Sequence, residues 1–149
     1  MAGSAYLLDT GIVLLATRES AAAKVIDAQF GLSTSNFRPA ICEVSVGELL
    51  AFANANHWGE KRKAMLMDRL KNSLIVPISH PGVHQRWADT QTRLQGAGVS
   101  VGQNDIWISA TASVTGLTVL SADKDFARLR ALGLVQATVV DPKSGLILP

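Results

Sequence analysis

Short apolar runs recur along this chain, each followed by a turn and a helical stretch, and that alternation narrows the fold more than any other feature. Residues 5–8, 40–44, 74–78, 118–120 and 137–140 read as strands. None of them shows the period-2 alternation of a sheet with one wet face. A nearly continuous apolar strand is one buried on both faces, as in a parallel sheet. Helical patterns fall between them at 12–17, 19–30, 46–55 and 59–72, from 80–82 to 95, and at 105–114 and 126–132. Residues 31–38, with Gly, Ser, Thr and Asn, read as a loop. Strands alternating with helices predict βαβ units and an α/β fold whose central parallel sheet is flanked by helices. A chain of 149 residues has the length of one domain, and neither a repeat nor a long linker divides it.

Four acidic residues stand where these runs hand over to helices. Asp9 follows Tyr6-Leu7-Leu8, Glu48 lies in Ser45-Val46-Gly47-Glu48, Asp105 follows Gln103-Asn104, and Asp123 follows Leu120-Ser121-Ala122. Singly, each has an ordinary explanation as a turn or helix-capping residue. Glu48 has capping-box spacing from Ser45, and Asp105 suits the positive end of a helix dipole. Together they share one side: all lie where the chain enters a helix, which is the carboxyl edge of a parallel sheet. Ligands bind in the crevice at that edge. Four carboxylates gathered there repel one another unless a cation sits among them, and oxygen ligands suit magnesium, with manganese as the alternative.

The charge balance bounds the partners only loosely. Fourteen Lys and Arg against twelve Asp and Glu give a net charge of +2. If the acids share one crevice, the remaining surface is basic, notably at Lys61, Arg62, Lys63, Arg69 and Lys71, which suits a polyanion. That run also reads as an ordinary solvated helix face. The single cysteine, Cys42, excludes an internal disulfide and a cysteine-based zinc site. The N-terminus lacks a basic region before its apolar stretch, and no window reaches the ~18 apolar residues of a membrane span. A cytoplasmic protein is the expectation.

Leu7-Leu8-Asp9-Thr10, Glu48-Leu49, Asn104-Asp105-Ile106-Trp107 through Ala112, and Leu120-Ser121-Ala122-Asp123-Lys124-Asp125-Phe126 resemble the PIN-domain ribonucleases, and among them the VapC-type toxins of toxin–antitoxin modules. The likeness runs from Tyr6 to Phe126 in the family's order. It implies a three-layer PIN-like fold with four to five parallel strands. It also implies that Asp9, Glu48, Asp105 and Asp123 form an acidic metal site, with Asp9, Asp105 and Asp123 as principal ligands. Thr10, Asn104 and Ser121 match polar positions supporting those carboxylates, and Asp125 matches a further acid. Gly47 departs from the family, which carries a bulkier residue before the glutamate. A cognate antitoxin and a homodimer are implied as partners. Leu14, Leu15, Leu49, Leu50 and Phe52 are candidates for the antitoxin's apolar groove or for the core.

The expected reaction is magnesium-dependent hydrolysis of an RNA phosphodiester, in tRNA or rRNA, leaving a 3′-hydroxyl and a 5′-phosphate. Lys124 and Arg128 are candidates for holding backbone phosphates. Two other classes compete. A magnesium-dependent phosphohydrolase or phosphoacceptor could use Asp9, although Gly11 stands where a haloacid-dehalogenase-like enzyme needs a second aspartate. A non-catalytic module of the same fold could use the carboxylates to engage a basic partner. His80 and His84 have helical metal-ligand spacing, but Pro81-Gly82 lies between them.

Overall fold

The computed structural model describes residues 6–33 and 38–149. Five strands form one parallel sheet: β1 (Tyr6–Leu8), β2 (Ala40–Cys42), β3 (Leu74–Val76), β4 (Thr118–Ser121) and β5 (Ala137–Val139). Seven helices connect them: α1 (Thr10–Ala16), α2 (Ala21–Phe30), α3 (Glu43–Ala55), α4 (Glu60–Lys71), α5 (Val83–Ala97), α6 (Gln103–Thr115) and α7 (Asp125–Ala131). Spatial order is β3-β2-β1-β4-β5, so the chain moves outward from β1 in one direction and then crosses to its other side. The switch point lies between β1 and β4, where Leu7 pairs with Val119 and Leu8 with Leu120.

The pattern of burial explains why the strands read as continuous apolar runs. Leu7, Ala40, Cys42, Val119 and Val139 face one core, closed by Leu94, Ile106, Ile108, Phe126 and Leu129 of α5, α6 and α7. Leu8, Ile41, Leu120 and Val140 face a second core, closed by Ile12, Val13, Ile26, Leu49 and Leu66 of α1 to α4. Neighbouring residues on a strand point to opposite faces, so both must be apolar. Three layers result. The coverage thins at β3, an edge strand on which Leu74 and Ile75 are exposed.

Several element boundaries differ from the sequence expectation, each for a local reason. The second strand ends at Cys42 rather than at residue 44, and α3 starts at Glu43. The Glu43 carboxylate accepts a hydrogen bond from Ile78 N at 2.6 Å, thirty-five residues away. Glu48 therefore lies in the second turn of α3, and Ser45 is a buried helical residue, not a cap. Asp9-Thr10-Gly11 is not a free turn: Asp9 is the N-cap of α1, which begins at Thr10. Helix α2 begins after Ser20, whose hydroxyl accepts from Ala23 N at 3.1 Å. The long helix starts only at Val83, because Gly82 sits at φ +89°. It runs through Gly96 and stops at Gly98, where φ is +66°. Helix α6 begins at Gln103, two residues before the expected start. Of the expected first strand and first loop, residues 5 and 34–37 lie outside the described residues.

No helix among the described residues is long and apolar enough to cross a membrane. The four leucines and one phenylalanine considered for a groove divide in the structure. Leu15 and Leu49 are core, Leu14 and Phe52 are half-buried against it, and Leu50 is exposed.

Candidate active site

Asp9 and Asp123 reach the switch point because they end adjacent strands. Asp9 N donates to Leu120 O at 3.0 Å, tying the end of β1 to β4. The Asp9 carboxylate is buried at 7% exposure. Its Oδ1 accepts from Thr10 N at 2.8 Å and its Oδ2 from the Ser121 hydroxyl at 2.7 Å. Ser121 Oγ in turn accepts from Asp123 N at 2.9 Å, so one buried serine orients both strand ends. Beyond it, Asp123 Oδ1 accepts from Asp125 N at 2.9 Å, opening α7.

Glu48 arrives from the other face of the crevice. Thr10 Oγ1 donates to Glu48 Oε1 at 2.8 Å, and the Thr10 hydroxyl oxygen also lies 3.0 Å from Ser45 Oγ. Asp105 comes in on the first turn of α6. Asp9, Glu48, Asp105 and Asp123 all line one open cleft of about 740 Å³, together with Lys124 and Asp141. Carboxylate oxygens of Asp105, Asp123 and Asp125 lie within 4.8 Å of one another.

The electrostatics of this cleft are those of crowded negative charge. Burial, then Asp9, Asp123, Asp125 and Glu48, push the Asp105 carboxyl up to about 7. Burial is also the main cause at Asp9, raised to about 6, where the Ser121 and Thr10 hydrogen bonds oppose the rise and Asp123 and Glu48 add to it. Such shifts mark groups whose ionised form lacks a counter-charge. The donor set fits a hard divalent cation: it offers only oxygens, from several carboxylates, with no thiol or imidazole among them.

A pH dependence follows, and its sign is fixed by the direction of the shifts. Folded-state values raised above the unfolded one mean that folding is favoured while the groups are protonated, and that this advantage is lost as pH rises from 3.8 through about 6 and 7. The metal-free protein should therefore unfold at a lower temperature at about pH 8 than at about pH 5, as far as these two groups are concerned. Magnesium, if the ionised carboxylates hold it, should raise the unfolding temperature more at the higher pH. Differential scanning calorimetry with and without the ion checks both statements; an equal magnesium effect at the two pH values would contradict the coupling.

The remaining sequence candidates divide. Thr10 and Ser121 touch the acids directly. Lys124 lines the cleft and is exposed. Asn104 is exposed in the first turn of α6, and its side chain makes no hydrogen bond to another described residue. Arg128 lies outside the cleft lining and pairs with Asp125 at 3.2 Å. His84 packs edge-on against Trp107 at 6.0 Å, just after the break at Gly82, so it does not share a regular helix with His80.

Two further residues belong to the site: Asp141 lines the cleft, and Ser45 is buried behind it against Thr10. Ser45 carried a visible capping signal, which pointed to the wrong role. Asp141 follows β5 and so emerges at the same carboxyl edge; that signal was present in Asp141-Pro142. Its carboxylate accepts from Ser144 N at 3.1 Å and Lys143 N at 3.4 Å. The Ser144 hydroxyl first, then these backbone contacts and the charge of Lys143, hold it below the ordinary carboxylate value.

Fold and cleft together define a doubly wound parallel α/β protein with an acidic crevice at its switch point. The chain belongs to the PIN-domain family, whose model matches residues 6–132. Among solved structures it is similar to VapBC from Salmonella typhimurium bound to DNA, with TM-score 0.75 and 20% identity over 90% of this chain and 96% of that one. It is also similar to VapBC2 from Rickettsia felis bound to a promoter DNA fragment, with TM-score 0.73 and 18% identity over 89% and 96%. A third is VapBC-5 from Mycobacterium tuberculosis, a member of the VapBC family of toxin–antitoxin systems, with TM-score 0.65 and 24% identity over 92% and 99%. A comparison with curated proteins found no match.

Proposed function

We propose that this PIN-domain protein is a magnesium-dependent endoribonuclease, the toxin of a toxin–antitoxin module, cutting tRNA or rRNA in the cytoplasm. The observation carrying this reading is the convergence of Asp9, Glu48, Asp105 and Asp123 on one cleft, with Asp105, Asp123 and Asp125 oxygens within 4.8 Å of each other. Membership of the PIN family and the likeness to VapBC assemblies support the same reading. Asp9, Asp105 and Asp123 would hold magnesium, or manganese in its place. The ion, when bound, supplies a nucleophilic water near neutral pH and draws charge from the phosphate under attack. Asp9 is oriented for its part by Ser121 and Thr10 N. Glu48, held by Thr10, would accept a proton from the attacking water or complete the ligand set. Lys124, exposed on the rim, would steady a backbone phosphate. Asn104 stands on the exposed side of α6, where a substrate contact is open to it.

A cognate antitoxin and a homodimer complete the proposal, supported by the VapBC complexes to which the fold is similar. The competing reading is a partner-binding module of the same fold, without catalysis. Incubation of purified protein with a tRNA and rRNA pool separates the two. Cleavage that requires magnesium and stops with chelator is expected, leaving 3′-hydroxyl ends. Intact RNA at every magnesium or manganese concentration, from protein that still binds the ion, would favour the binding module.

A further inference from the structure

Arg128 makes the only ion pair among the described residues, although the chain holds fourteen lysines and arginines. Its Nη1 lies 3.2 Å from Asp125 Oδ1 and donates to Ser100 O at 3.0 Å. Asp125 belongs to the carboxylate cluster with Asp105 and Asp123. Ser100 lies in the connection between α5 and α6, the helix that carries Asp105. One guanidinium thus reaches from α7 to the cluster and to the lead-in of the neighbouring helix.

We propose that Arg128 is a built-in counter-charge of the acidic site, engaging Asp125 and setting how tightly the cluster takes up a divalent cation. The inference rests on the metal-site reading above. A guanidinium on Asp125 occupies one of its oxygens and offsets part of the repulsion among the three carboxylates. It also places a positive charge beside the position a cation would take, which weakens that cation's binding. Arg128 therefore stabilises the metal-free protein and loosens the metal-bound one. The pair is partly exposed, so solvent screens the effect without abolishing it. The Ser100 contact is not what keeps Asp105 in place: Leu94 of α5 and Ile106 and Ile108 of α6 are buried in the same core and fix that helix pair. A residue engaged in this way is a positioning residue, with its guanidinium directed at protein atoms and not at RNA.

The test is calorimetric titration of manganese, without RNA, into wild type, Arg128→Gln and Arg128→Lys. Arg128→Gln should bind the ion about fivefold more tightly, in line with a screened pair of charges. Its metal-free unfolding temperature should fall, and manganese should raise that temperature by more than in wild type. Arg128→Lys, which keeps the charge, should bind within about twofold of wild type, and KM for RNA should stay within about twofold in all three. Equal or weaker metal binding by Arg128→Gln would overturn the inference. So would a severalfold rise in KM with metal affinity unmoved, which would make Arg128 a phosphate contact. If wild type itself takes up no manganese, the metal-site reading fails first and this inference falls with it.

Discussion

Replacing Asp105 with asparagine should lower RNA cleavage at least about 100-fold while making the metal-free protein more stable. The first effect follows from its place in the cluster with Asp123 and Asp125. Losing even an outer partner of a metal ligand typically costs about 10–100-fold, so losing a ligand costs more. The second effect follows from its raised value, about 7, which burial and the surrounding carboxylates cause. At about pH 8 the wild-type side chain is ionised against that opposition, and a neutral amide of the same shape removes the opposition. At about pH 4 the carboxyl is protonated in the folded state, and asparagine changes little. Each kcal/mol of relief raises the midpoint of a protein this size by about 2–4 °C. Unfolding temperature measured at both pH values, beside a cleavage assay, reads the two effects separately. An Asp105→Asn protein that is inactive but less stable at the higher pH would show the aspartate to be a structural cap and not a site residue.

Phe126→Ala should do the reverse, damaging the fold rather than the chemistry. Phe126 directly follows Asp125, yet its ring is fully buried between α7, α6 and the sheet. Removing it leaves a cavity in the core that it shares with Ile106, Val119 and Leu129, and such truncations cost about 3–5 kcal/mol. Against a total of about 5–15 kcal/mol, that is a large share of the stability. Urea denaturation should show the midpoint fall sharply with little change in slope. A loss below about 1 kcal/mol would mean that α7 is not packed as described. Read side by side, the two substitutions distinguish residues that hold the cleft's shape from residues that hold its charge.

Much of this architecture is legible in the sequence, for physical reasons that differ element by element. The five strands were legible because burial on two faces demands apolar residues at successive positions, as Leu7 and Leu8 or Val119 and Leu120 show. The common edge of Asp9, Asp105 and Asp123 followed from chain direction, since a parallel sheet puts every strand-to-helix junction on one side. Helix α3 was harder. Residues 40–44 offer no change of character at the strand–helix boundary, and the contact that sets it, from Ile78 N to Glu43, spans thirty-five residues. Ser45 was misread for the same reason: its partner Thr10 lies equally far along the chain. Asp141 follows the last strand, so its edge is legible in Asp141-Pro142; what the pattern does not show is the anchor of its turn, where Gln29 donates to Gly145 O at 2.6 Å across 116 residues. Gly145 also sits where a Cβ would stand 2.6 Å from Ala22 O, a close approach visible only in three dimensions. Local pattern reports which faces are buried; it does not report which distant side chain closes a boundary.

The central requirement is a divalent ion held by carboxylates from separate segments. Anomalous diffraction from crystals grown with manganese tests this most directly. A single strong peak bonded to Asp105 and Asp123, with Asp9 directly or through water, is the expected result. Crystals at millimolar manganese with no peak in the cleft, or with the ion held elsewhere on the protein, would contradict it.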